Sequence, residues 1–148
     1  MKRDSFGFNN TVFYILRDKD GNIKEKGCHK NQVQNLTLVE VIDAVDAGTH
    51  GEPIIEMAIG TGTGQAVSDT ALSSLSSYEA TVNVQSGSPE DTVTCTSTFT
   101  AGGSWTITEA GLFGTTGCAS EMLFYDGSLN VGMTADDTLQ IDWEISVS

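Results

Sequence analysis

The residues of this chain best suited to chemistry are few and scattered. Glu109 sits in Ile107-Thr108-Glu109-Ala110-Gly111-Leu112-Phe113, a carboxylate between an apolar strand and an Ala-Gly step. That position suits an acceptor of backbone N–H groups at a bulge or turn. A hydrolase built on Glu109 would need a second acid close by, and Asp136 with Asp137 are the candidates. Both read better as the polar turn that opens the final strand. His29 and His50 are the only histidines, and neither has metal-ligand spacing with another His or Cys. Cys28 and His29 are neighbours on an expected strand, so they point to opposite faces and cannot easily share an ion. A Ser or Cys triad would have to be assembled by the fold, and no G-x-S-x-G elbow is present.

Gly60-Thr61-Gly62-Thr63-Gly64 invites comparison with phosphate-binding loops. No Lys follows it, and Gln65 stands where the third glycine of G-x-G-x-x-G belongs, so a backbone-close turn is expected instead. Asp18-Lys19-Asp20-Gly21-Asn22 has the look of a calcium loop, but its twelfth position is His29 rather than a bidentate Glu. The three cysteines, Cys28, Cys95 and Cys118, have no short spacing and an odd count. They read as small buried or half-buried thiols, with a Cys95–Cys118 bridge as the alternative. The expectation is a chain with no catalytic, cofactor or metal site.

The elements that would hold these residues are mostly strands. Leu139, Ile141, Trp143, Ile145 and Val147 alternate with Gln140, Asp142, Glu144 and Ser146, the period of a strand with one buried and one wet face. Thr11 to Arg17 and Asn22 to Cys28 form an expected N-terminal hairpin around the Asp20-Gly21 turn. Ile54 to Ile59 reads as a buried strand, and Ser68-Asp69-Thr70-Ala71-Leu72 as one capped helical turn. Ala80 to Gln85, Thr92 to Phe99 and Ser104 to Thr108 alternate again, with both tryptophans inward and a wet threonine stripe from 92 to 98. Ser86 to Pro89, Gly102-Gly103, Gly114 to Gly117 and Asp126-Gly127 mark turns. One amphipathic helix is expected at about residues 37–47: Thr37 with Glu40 makes a capping box, Leu36 faces Val41, and Gly48 stops it. Its polar face carries Glu40, Asp43 and Asp46, which disfavours an anionic bilayer. The predicted class is mainly β, an antiparallel β-sandwich or barrel with an N-terminal hairpin and that helix. Residues 1–148 form a single domain, divided into an arm and hairpin (1–30), helix and linker (31–53) and a β-rich core (54–148).

The totals restrict the partners. Twenty acidic against seven basic residues give a formal charge of −13. Such a chain repels phosphate backbones, so no nucleic-acid partner is expected, and it should be soluble. MKRDSFGFNN lacks the apolar stretch of a secretory signal, so the sequons at Asn9 and Asn35 carry little weight. No apolar run reaches the roughly 20 residues of a membrane helix, and no membrane role is expected.

Three segments are similar to a known family. They are Ile59 to Gly64 running into Ser68 to Leu72, then Ile107 to Phe113, then Asp137 to Ile145. In this order and spacing they resemble small virion structural proteins of tailed viruses of bacteria and archaea, of the tail-fibre or capsid-associated kind. The likeness covers roughly residues 54–148. Relatives often carry an arginine after the Asp-Thr-Ala-Leu turn and another after the Met-Leu strand, where this chain has Ser77-Tyr78 and Phe124-Tyr125. The resemblance implies a non-enzymatic building block of the virion, most simply a capsid decoration or cement protein. Its partners would be the major capsid protein or other virion proteins and further copies of itself, a trimer being one arrangement that suits shell binding. A tail, baseplate or fibre-attachment subunit is the nearest alternative. A glycan-binding module using Trp105, Trp143 or Tyr125 is the alternative of another class.

Overall fold

The structure is a computed structural model and describes residues 8–30, 32–33, 54–79, 83–86, 92–114, 116–118 and 120–147. Its elements are β1 (Phe8–Arg17), β2 (Ile23–Lys30), β3 (Gln32–Val33), β4 (Glu56–Gly60), β5 (Leu75–Glu79), β6 (Asn83–Ser86), β7 (Thr92–Thr100), β8 (Trp105–Ile107), β9 (Glu109–Phe113), β10 (Met122–Asp126), β11 (Val131–Met133) and β12 (Thr138–Val147). A short 3-10 turn lies at Thr116–Cys118. The strands form two five-stranded antiparallel sheets, in the orders β2-β1-β12-β7-β6 and β3-β10-β9-β4-β5, called here the first and second sheets. A small ribbon, β11-β8, completes the set. The chain is thus mainly β, with separate sheets rather than a closed barrel. Among the described residues there is no α-helix, and none is long and apolar enough to cross a membrane. The helix expected at about 37–47 lies outside the described residues, as does His50.

β12 sits in the middle of the first sheet because its alternation is the strictest in the chain. It pairs with β1 from Phe8↔Val147 to Arg17↔Thr138, and with β7 from Thr138↔Thr100 to Ser146↔Thr92. Leu139, Ile141 and Trp143 are fully buried, while Gln140, Asp142 and Glu144 face outward. On β7, Cys95, Ser97 and Phe99 point in and Thr94, Thr96 and Thr98 point out, so the threonine stripe lies on the outer face as expected. The Trp143 indole N–H, removed from water, donates to Asn10 Oδ1 at 3.1 Å.

The three inner strands of the second sheet are covered on both faces. β4, β9 and β10 are buried at every position, as continuous apolar runs of doubly covered strands require. Met57, Ile59, Leu112 and Phe124 join Val12, Phe99, Ile141 and Trp143 in one core between the sheets. On the other side Ala58, Phe113, Met122 and Tyr125 pack with Leu72 and Cys118, supplied by two connecting segments. The Ser68-to-Leu72 segment is therefore not the helical turn the sequence suggests. Asp69 Oδ2 accepts from Ala66 N at 2.7 Å and closes the turn before it, while Leu72 is drawn into the second cluster. The carboxylate points back along the chain instead of capping a helix ahead.

The N-terminal hairpin forms as read. Gly21 takes φ +85, and Asp18 Oδ1 accepts from Asp20 N and Asn22 N, both at 2.9 Å. Replacing Trp143 by Ala is expected to cost about 3–5 kcal/mol, from lost burial and a residual cavity. Asn10→Ala should cost about 1–2 kcal/mol by orphaning the indole N–H. Denaturant unfolding of the two variants checks both, and a loss below about 1 kcal/mol for Trp143→Ala would contradict the buried placement.

Candidate functional site

The densest polar constellation is built around Glu109, the first residue of β9, whose register partner on β4 is Gly60. Its side chain is completely buried. Oε1 accepts from Ser74 N at 2.9 Å and Gly62 N at 3.1 Å, and Oε2 accepts from Ser73 N at 3.3 Å. The hydroxyls of Ser73 and Tyr125 donate at 3.4 Å. Thr108 N donates to Gly60 O at 3.0 Å, and Thr61 N to Ser74 O at 2.9 Å, which bring the loop strands alongside the carboxylate. A Cβ on Gly60 would press against Ser74 O, and one on Gly62 would meet the Ser73 hydroxyl and Glu109 Oε1. The glycines are thus needed for close approach, and Glu109 is the backbone acceptor that its position suggests. Burial pushes the Tyr125 hydroxyl above its ordinary range, and the Glu109 charge adds to that.

Three further acids are buried. Glu56 opens β4 and accepts from Gly117 N, from Cys118 N at 3.1 Å and from the Cys118 thiol at 3.2 Å. It holds a turn in which Gly117 has φ +83 and Cys118 φ +51. Burial, and then Glu56, drive the Cys118 thiol up; burial alone pushes Cys95 to about 11. Both are free thiols in different core clusters, so the alternative Cys95–Cys118 bridge is not formed, and Cys28 is exposed. Asp126 Oδ1 accepts from Ser128 N at 2.9 Å, and its Oδ2 lies 2.9 Å from His29 Nε2. Burial raises the Asp126 carboxyl, against the opposing pull of Ser128 N–H and His29. Asp137 accepts from Thr134 N at 2.8 Å and from Lys24 Nζ at 2.6 Å.

The sequence-level candidates are therefore not brought together. Asp137 is engaged with Thr134 and Lys24, and Asp136 occupies the turn before β12 with φ +68. Cys28 and His29 do face opposite sides: the thiol is exposed and the imidazole turns to Asp126. Among the described residues no group of three His, Cys, Asp or Glu is placed to hold a metal ion. Trp143 and Tyr125 are buried, and Trp105 packs half-buried on the core, so two of the three proposed sugar-stacking rings are withdrawn from solvent. A depression of about 650 Å³ lies on the outer face of the first sheet, lined by Phe13, Ile15, Lys26, Cys28, Asp142 and Glu144 among others. Phe13 stays 41 % exposed beside it. Glu56 and Asp126 escaped the sequence reading, although an acid inside Ile54-Ile55-Glu56-Met57-Ala58-Ile59 signals a buried carboxylate in need of donors.

Comparison with protein-family models, with curated proteins and with solved structures finds no match.

Glu109→Ala should destabilise the chain by about 2–4 kcal/mol, because three backbone N–H groups lose one shared, buried acceptor. Gly62→Ala should be destabilising in the same range, since the cradle and the methyl cannot share the space. Thermal melts of the variants check this. The acid limb is a separate test. Lys24, and then Thr134 N–H, hold the Asp137 carboxyl below its ordinary range. A carboxyl lowered on folding adds stability above its unfolded value of about 3.9 and loses it as pH falls through the folded value. Stability should therefore decline from about pH 5 downward, and Asp137→Asn should flatten that decline.

Proposed function

We propose that this chain is a virion structural protein of β-sandwich architecture, most specifically a capsid decoration or cement subunit that docks on the shell as a homo-oligomer. The observation that carries this reading is the use made of Glu109. Two of the segments that resemble the virion family, Ile59 to Gly64 and Ile107 to Phe113, meet at its carboxylate through Gly62 N and through the Thr108 N–Gly60 O bond. The shared motif is then a fastening for a loop, and the carboxylate is occupied by backbone N–H groups. The same holds of Glu56 at the Gly117–Cys118 turn. Buried acids spent on fixing loops suit a rigid plug that works by adhesion. Many weak contacts repeated over a symmetric shell hold such a plug in place, so no single interface need be large. A surplus of acidic charge outward would keep particles apart.

Quantitative mass spectrometry of purified particles of the source virus tests the reading. A decoration subunit should be present at on the order of hundreds of copies per particle, following shell symmetry. On the order of a dozen would move it to the tail or baseplate. Absence from particles would overturn the virion reading altogether.

A further inference from the structure

The outer face of the first sheet carries its charges in columns. Antiparallel register sets Cys28, Phe13, Asp142 and Thr96 side by side across β2, β1, β12 and β7. The next row on that face reads Lys26, Ile15, Gln140 and Thr98. Glu144 stands in the row on the other side of Asp142, beside Thr94. The β2 column is therefore cationic, the β1 column apolar and the β12 column acidic. Phe13 is a large apolar side chain left in water at the centre of this pattern. Lys26 and Glu144 are exposed, and neither forms an ion pair within the described residues. Asp142 is held in place by the Thr96 hydroxyl at 2.9 Å and the Gln140 amide at 3.1 Å, so its position is fixed before any partner arrives.

We infer that two copies of this chain pack this face against its twin, about a two-fold axis running along β1. That axis exchanges the outer columns: β2 of one copy lies over β12 of the other, and β1 lies over β1. Register then sets Lys26 of each copy over Gln140 of the other and one row from its Asp142, with Phe13 over Phe13 and Ile15 over Ile15. The charge columns select this axis. A two-fold axis across the strands would set β2 over β2 and β12 over β12, lysine against lysine and Asp142 against Asp142. A contact that leaves the hairpin out fares no better, because every Lys and Arg lies within residues 1–30 and residues 31–148 carry sixteen acids. Such a contact brings acids to acids. Five strands about 4.8 Å apart and about ten residues long make a face of about 20 by 30 Å. Pairing two such faces buries about 1,200 Å² in total, the lower end for a specific interface, so the dimer exchanges with monomer. It forms whether or not the chain sits on a capsid, so its failure and absence from particles are separate results.

The test is sedimentation velocity of the full chain at about 0.15 M salt, where a Debye length of about 8 Å screens the repulsion between two acidic bodies. The wild type should show a concentration-dependent dimer. Lys26→Glu alone and Asp142→Lys alone should each weaken it by at least about tenfold with unchanged circular dichroism. Phe13→Ser should weaken it as well, while Lys19→Glu, a matched reversal in the hairpin turn, should leave it as it is. Mixing the Lys26→Glu chain with the Asp142→Lys chain should restore the dimer, since the two-fold axis then sets opposite charges together on both sides. Should Asp142→Lys disturb the fold, Gln140→Lys at the directly opposed position takes its place. Carbodiimide coupling of isotopically distinct copies should join Lys26 of one to Asp142 or Glu144 of the other. A wild-type chain that stays monomeric up to about 1 mM would overturn the inference. So would a dimer untouched by the single reversals, or one that the mixture fails to restore.

Discussion

A carboxylate taken out of water has to be met by donors, and in this chain nearly all the donors must be backbone N–H groups. Beyond residue 30 there is no Lys or Arg, yet Glu56, Glu109, Asp126 and Asp137 are all buried. An uncompensated buried charge costs several kcal/mol, more than most folds can spare. The chain meets the requirement by wrapping loops around its acids. Gly62, Ser73 and Ser74 close on Glu109, Gly117 and Cys118 on Glu56, Ser128 on Asp126 and Thr134 on Asp137. Because each N–H must come within hydrogen-bond reach, the loops have one arrangement each. The acids thereby specify the loops, at the places where apolar packing alone would leave them loose.

Among the described residues, the hairpin adds side-chain partners for two of those acids. Lys24 on β2 reaches Asp137 at 2.6 Å, just ahead of β12, and His29 on β2 reaches Asp126 at the end of β10. One strand at the edge of the first sheet thus fastens to the start of that sheet's central strand and to a strand of the second sheet. The two carboxyls are shifted in opposite senses. Asp137 is lowered by its partners and contributes stability that fades as pH falls. Asp126 is raised, chiefly by burial, so its ionised form is the disfavoured one and its contribution is greatest when protonated.

Much of this was legible in the residues. The period of two in Leu139 to Val147 marks β12, and Asp18 to Asn22 marks the hairpin turn, because both are local patterns with a single physical reading. Glu109 was legible as a backbone acceptor because an acid between apolar residues has few other uses. Its donors were not. Gly62 and Ser74 lie 47 and 35 residues away in the chain, and nothing local in Gly60 to Gly64 says which carboxylate it will embrace. The pairing of β1 with β12 was hidden for the same reason, since it joins the two ends of the described chain. Ser68 to Leu72 misled in a different way. An Asp at a turn satisfies a donor on either side, and here Ala66 N behind it won over a helix ahead because Leu72 had an apolar cluster to fill.

The covering of the inner strands of the second sheet leaves the first with the more open face. β4, β9 and β10 lie beneath core on one side and the Leu72 and Cys118 segments on the other, so none of their side chains is free to meet a partner. The first sheet keeps an open outer face, on which Phe13 and Ile15 stand among Lys26, Asp142, Glu144 and threonines. Threonine there offers a pleated, uncharged surface that loses little on desolvation, while the carboxylates of β12 are partly tied, Asp142 by Thr96 and Gln140. A face with fixed polar groups and one exposed aromatic is suited to contact with another surface. The buried acids are turned away from that face, inside the fold, where they hold loops.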